Sequence, residues 1–125
     1  SVLIADTGST AHFCTIDTPV INKWRANNQI AIHNPNGALM YSTHQAELDL
    51  PFLPKAACQV HIIPNLAHNS LISIGQLCDA GCDVIFDATT VTVRYNHQSV
   101  LSGQCTQATQ LWYLQPTTSP TAQTN

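Results

Sequence analysis

The sequence predicts an all-β domain with one short helix. Short apolar runs keep the two-residue alternation of strands. Turn-forming Asn, Gly and Pro residues separate these runs. Only the stretch beginning at Ile74 carries both a helix start and a helix stop. The chain has 125 residues, the size of one domain. Its 44% hydrophobic content can supply a core, but only 9% of residues are charged, against about 25% in a typical domain. Asn, Gln, Ser, Thr and His must therefore wet the surface, a composition that favours self-association. With a net charge of −3 and four Lys or Arg, the chain has no basic stripe to neutralise phosphates, so direct nucleic-acid binding is not expected.

The elements follow in order. Val2-Leu3-Ile4-Ala5 is a short buried strand. Gln29-Ile30-Ala31-Ile32 alternates and runs into the turn Asn34-Pro35-Asn36-Gly37. Asn36-Gly37 is the dipeptide that type I′ hairpins prefer, because both central residues need positive φ. Residues 38–46 form the return arm. Residues 46–50 alternate, with Leu48 and Leu50 inward and Glu47 and Asp49 toward solvent, until Pro51 and Pro54 end the strand. Cys58, Val60 and Ile62 share a face of the next strand, which Pro64 stops. Ser70-Leu71-Ile72 is a further strand. Ser73 then caps a helix over 74–80, and Gly81 supplies its C′ residue. About two turns long, that helix depends on packing rather than propensity. Residues 82–86 return to strand, 90–94 and 98–101 flank Tyr95-Asn96-His97 as a hairpin, and 111–114 form a last strand. Trp24, Trp112 and Tyr113 are core or interface aromatics. Residues 115–125 offer nothing to bury, so the domain is expected over 1–114 with a disordered tail.

The five cysteines cannot all pair within one chain and show no disulfide framework, which favours a reducing, intracellular setting. No signal-peptide pattern and no run near the ~20 apolar residues of a membrane span are visible. The chain opens almost inside a strand, without Met, and reads as a piece of a longer polypeptide.

Asp6-Thr7-Gly8-Ser9 directly follows the first apolar run. A carboxylate at the end of a buried strand, then a hydroxyl residue and a glycine, is how an aspartic protease presents its catalytic group. Gly8 lets the backbone approach the carboxylate, and its N–H can bond to it. Such chemistry needs two carboxylates in contact, which cannot both ionise and so share a proton. The motif occurs once. Asp17, Asp79 and Asp87 each lack the hydroxyl or the glycine of that frame. The second carboxylate must then be Asp6 of another copy, placed by a twofold axis.

These residues resemble the retropepsin family, the homodimeric aspartic proteases of retroviruses and retrotransposons. Within it, the chain is most similar to the protease region of copia-type LTR retrotransposon polyproteins, over about residues 2–114. The resemblance rests on the strand with Asp6-Thr7-Gly8-Ser9, on His12, on Val60-His61-Ile62-Ile63-Pro64-Asn65-Leu66, and on Asn69-Ser70-Leu71-Ile72-Ser73-Ile74-Gly75-Gln76-Leu77-Cys78-Asp79. It implies a retropepsin-like barrel with a flap hairpin over residues 30–46 and a short C-terminal helix. It also implies a homodimer with one Asp per subunit that processes its own polyprotein. Asp6 carries over as catalytic, Thr7 as the hydroxyl that grips the partner loop, and Gly8 as a backbone contact to substrate. Ser9, Asn34, Pro35, Asn36, Gly37, Leu71 and Ile72 are the substrate-binding candidates, with Ile32 and Leu39 as further subsite walls. No cofactor or metal is implied.

The chain departs from the retroviral pattern in several places. Ser73 replaces a glycine before the helix. Thr10 and Ile74 stand where retroviral enzymes pair an Asp with an Arg. Only five residues precede Asp6, too few for the N-terminal dimer strand, while residues 87–114 extend past the usual end. That extension is expected to take over part of the dimer contact. Two other readings compete. One is a retropepsin-fold module that dimerises or binds peptide without cutting. The other is a zinc site from Cys78, Cys82, His61 and His68, although the cysteine spacing fits a helix end better than a metal knuckle. A Ser or Cys nucleophile lacks an elbow or oxyanion loop.

Overall fold

The structure, a computed structural model, describes residues 2–34, 36–66 and 69–117. It is mostly β. The strands are β1 (Val2–Asp6), β2 (His12–Cys14), β3 (Val20–Arg25), β4 (Ala31–His33), β5 (Leu39–Tyr41), β6 (His44–Leu48), β7 (Gln59–Ile62) and β8 (Asn69–Ser73). The helix α1 (Ile74–Asp79) follows, then β9 (Asp83–Phe86), β10 (Thr90–Tyr95), β11 (Gln98–Thr106) and β12 (Leu111–Pro116). Among the described residues, ten strands form one sheet in the order β3-β6-β7-β2-β8-β1-β12-β11-β10-β9, and β4 and β5 pair separately.

This order leaves β3 and β9 as edges, so hydrogen bonds do not close the expected barrel among the described residues. At the β3 edge, the register slips between Ile21 and Trp24, where Asn22 takes a φ of 52°. That irregularity, with Lys23 and Arg25 on the same strand, discourages further pairing. Trp24 is consequently 41% exposed and is not a core aromatic.

The core runs along the middle of the sheet. Val60, Ile62, Ile72, Leu77, Val91, Val93, Leu101 and Leu114 are nearly or fully buried in one cluster. Val91, Val93, Leu101 and Leu114 come from the C-terminal extension. β12 pairs antiparallel with β1 (Leu3 opposite Leu114, Ile4 opposite Tyr113), so the extension completes the chain's own sheet. Deleting residues 87–125 would remove core strands and so is expected to unfold the protein rather than only weaken a dimer contact.

Several boundaries differ from the sequence expectations. Gln115 and Pro116 pair with Ser102 and Leu101, so the last strand runs past residue 114. Residues 118–125 of the expected tail lie outside the described residues, as do Pro35 and His68. The return arm breaks after Tyr41. Ser42 is buried, and its hydroxyl accepts from the N–H of Ile30 while the chain crosses into β6. Glu47 faces inward and is only 9% exposed, because Lys55 (3.6 Å), Asn22 (3.2 Å) and Gln59 (3.5 Å) neutralise and solvate its carboxylate. The type I′ geometry occurs at Asn96-His97 (φ 52° and 66°), not at Asn36-Gly37, where only Gly37 has positive φ (90°). There the Asn34 carbonyl accepts from Gly37 N–H and the Asn34 N–H donates to Ala38. This is the pattern of a longer hairpin loop that ends in a left-handed glycine.

Candidate active site

β8 inserts between β1 and β2, parallel to the first and antiparallel to the second. The loop that joins β1 to β2 must therefore pass over the C-terminal end of β8. This places Asp6 beside Ser73 in register and brings Ser9 and His12 to the start of α1. Asp6 is half-buried at the strand end, and the N–H of Gly8 donates to its Oδ1 at 2.8 Å. Thr7 and Gly8 are exposed, and among the described residues the Thr7 hydroxyl has no partner.

A buried polar network fixes this loop from below. The Ser73 hydroxyl donates to the Ser9 carbonyl (2.7 Å) and accepts from Gln76 N–H (3.0 Å), capping α1 as expected. The Ser9 hydroxyl donates to the Ala11 carbonyl (2.5 Å), so this side chain braces the loop. The N–H of Ser73 donates to His12 Nδ1 (2.9 Å), and His12 Nε2 lies 2.7 Å from the Ala57 carbonyl. The His12 N–H donates to Gln76 Oε1 (3.0 Å), whose amide nitrogen donates to the carbonyls of Gln59 (2.8 Å) and Ala56 (3.1 Å). His12 and Gln76 thus link the loop to the helix at a site where Thr10 and Ile74 carry no charge.

His12 is fully buried. Burial pushes its pKa down to about 4; the Ala57 carbonyl acts against this shift and His61 adds to it. The unfolded chain takes up this proton near pH 6.5, while the folded chain resists until about pH 4. The stabilisation is therefore complete above pH 6.5 and drains away as pH falls toward 4. We expect roughly 3 kcal/mol to be lost from this residue between those limits, from 1.36 kcal/mol per pKa unit. Urea midpoints measured between neutral and about pH 4 check this; a flat midpoint would contradict it.

Above the floor of the sheet, the β4–β5 hairpin covers a cavity of about 360 Å³ lined by Ile32, His33, Asn34, Asn36, Met40, Asn65, Leu66 and Leu71. Its walls are apolar, with amides at one end. Asn34 Oδ1 accepts from Asn36 N–H and Asn36 Oδ1 from Ala38 N–H, so both side chains also hold the turn. Gly37 lies at the hairpin tip, outside this lining. Two expected walls are absent. Ile72 points to the opposite side of β8 from Leu71 and is 1% exposed in the core. Leu39 faces outward at 46% exposed, and Met40, which sequence reasoning missed, takes the inward place. A larger concavity of about 850 Å³ lies over β1 and β10–β12, and none of Asp6, Thr7, Gly8 or Ser9 lines either space.

The remaining carboxylates have other structural places. Asp87 accepts from Thr89 N–H, Thr90 N–H and the Thr90 hydroxyl, and the Thr90 hydroxyl bond leads in lowering its pKa. Asp17 is held by the Thr15 hydroxyl. Asp79 ends α1, Asp83 starts β9, and Asp49 is exposed. All five cysteines are free. Burial raises Cys14 and Cys58 to about 11 and also raises Cys82, so these thiols are not poised as nucleophiles. Among the described residues no three His, Cys, Asp or Glu converge on a metal site, and no helix is long and apolar enough to cross a membrane. The chain matches no protein-family model, no curated protein and no solved structure.

Proposed function

We propose that the chain is a retropepsin-like aspartic endopeptidase of a copia-type retrotransposon polyprotein, active as a homodimer. In this reading one Asp6 comes from each subunit. The observation that carries it is the presentation of Asp6. The carboxylate stands at a strand end beside a parallel strand, receives the Gly8 N–H, and rides on a loop clamped to α1. The covered groove between the hairpin and Leu71 supports a peptide substrate with apolar side chains, bound extended as an added strand. The free thiols agree with an intracellular setting.

In the dimer, one Asp6 is ionised and takes a proton from the attacking water. The other is protonated and donates to the scissile carbonyl oxygen. The tetrahedral intermediate collapses as the leaving nitrogen gains a proton. Activity falls once pH exceeds the higher apparent pKa of the pair, because both carboxylates then ionise.

Gly8 offers a sharper handle. A Cβ placed there would lie 3.5 Å from Asp6 Oδ1, an ordinary contact, so the monomer fold does not require glycine. Gly8→Ala should fold with unchanged urea midpoint yet lose most turnover, since the demand for glycine comes from the substrate or the partner. Equal loss of stability and activity would remove that assignment. The whole reading is tested by incubating the protein with peptides that span candidate junctions of its polyprotein and sequencing the products.

One observation favours a second reading, a dimerisation or peptide-binding module. The chain has a single carboxylate in the required frame. Peptide binding that is retained without turnover, in wild type and in Asp6→Asn alike, would favour the module.

A further inference from the structure

His12 is the most buried ionisable side chain in the loop network, and the proposed chemistry does not use it. Its two ring nitrogens have opposite duties. Nδ1 must accept, because its partner is the Ser73 N–H at 2.9 Å. Nε2 must donate, because its partner is the Ala57 carbonyl at 2.7 Å. The geometry therefore fixes the neutral Nε2-protonated tautomer. A second proton would set Nδ1–H against the Ser73 N–H, two donors face to face in a site without water contact. Ser73 could not then keep both its backbone position and its hydroxyl bond to the Ser9 carbonyl.

We propose that His12 is a positioning residue whose neutral ring holds Ser73, and through Ser73 the Asp6 loop, so that acid releases the loop independently of the catalytic carboxylates. The consequence for catalysis rests on the protease reading; the structural claim does not. Burial disfavours a second proton on the ring, and the Ala57 carbonyl acts the other way. On β7, His61 adds a like charge when protonated, and burial lowers its own pKa. Lys55, on the turn that carries Ala57, is directed to Glu47 at 3.6 Å. Cys78 and Asp79 on α1 are exposed. On β2 itself, Cys14 stays a neutral thiol. Asp6 at the end of β1 is the remaining ionisable group in the loop. A paired-Asp enzyme can work in acid, but this loop would lose its support near pH 4, where the ring takes up its proton.

The test uses the Asp6→Asn protein, which removes the Asp6 titration and makes the readout independent of whether the chain cuts peptides. Nuclear magnetic resonance would follow the His12 ring nitrogens and the amides of Ser9, Ser73 and Gln76 from neutral to about pH 3. The proposal expects an unprotonated Nδ1 at neutral pH and one transition near pH 4 shared by ring and amides. His12→Asn in the same background keeps an acceptor for Ser73 without an ionisable group, and should abolish the amide transition. A ring that titrates near 6.5 without moving those amides would overturn the proposal. So would an amide transition that survives His12→Asn. The ring tautomer of the wild-type protein at neutral pH gives a variant-free check; Nδ1 protonation would overturn the assignment.

Discussion

On the protease reading, Asp6→Asn is expected to abolish peptide cleavage and to leave the fold in place. Asn keeps an oxygen for the Gly8 N–H, now 2.8 Å from Asp6 Oδ1, so the loop retains its internal bond. The clamp beneath it, Ser73 to Ser9 and Ser73 to His12, does not involve the carboxylate. Stability should change by less than about 0.5 kcal/mol, the range of substitutions away from buried features. Turnover should fall by at least about a thousandfold, since the amide can neither take the proton from water nor share one with its partner. Circular dichroism and urea unfolding report the first quantity, and the initial rate on a junction peptide reports the second. Turnover kept within about tenfold of wild type would show that another group does the chemistry.

Gly103→Ala is expected to cost the fold more than a methyl group added at any other glycine. A Cβ at residue 103 would lie 1.5 Å from the Tyr113 carbonyl oxygen and 2.6 Å from its carbon. These are backbone atoms of β12, so no rotamer change can relieve the clash. β12 would have to leave β11, and with it the antiparallel support of β1 that leads to Asp6. We expect a loss of about 3 kcal/mol or more, at the upper end of overpacking. A urea midpoint within error of wild type would mean that β11 and β12 do not approach this closely.

Much of the architecture was legible in the sequence because local chemistry and tertiary need agree there. Val2-Leu3-Ile4-Ala5 reads as a buried strand; it is a strand, buried at Ile4 and Ala5 but exposed at Val2. Ser73 and Gly81 bracket the helix, with Gly81 at a φ of 99° as a left-handed end requires. His12, Ser73 and Gln76 stood in the blocks that carried the resemblance, but sequence reading gave no hint that they bond to one another across 61 and 64 residues. β2 was missed because His12-Phe13-Cys14 is too short to show a period. β3 was missed because Asn22 and Lys23 break its pattern at an edge. Glu47 and Ile72 were misplaced for different reasons. Glu47 is buried by partners that are distant in sequence, while Leu71-Ile72 is apolar on both sides of β8, so composition cannot say which side chain faces the groove. Asn36-Gly37 misled because a good type I′ dipeptide also fits a longer loop that needs a left-handed glycine.

In the proposed dimer, two Asp6 carboxylates from separate chains form one site. Titrating active wild-type protein with the Asp6→Asn chain tests it most directly, at concentrations where subunits exchange. If each site needs both carboxylates, mixed dimers are dead, and at equal amounts only roughly one dimer in four retains the pair. The rate per wild-type chain should then fall to about half and keep falling as the variant is added. A rate that depends only on the amount of wild-type chain, whatever the excess of Asp6→Asn, would contradict the shared site.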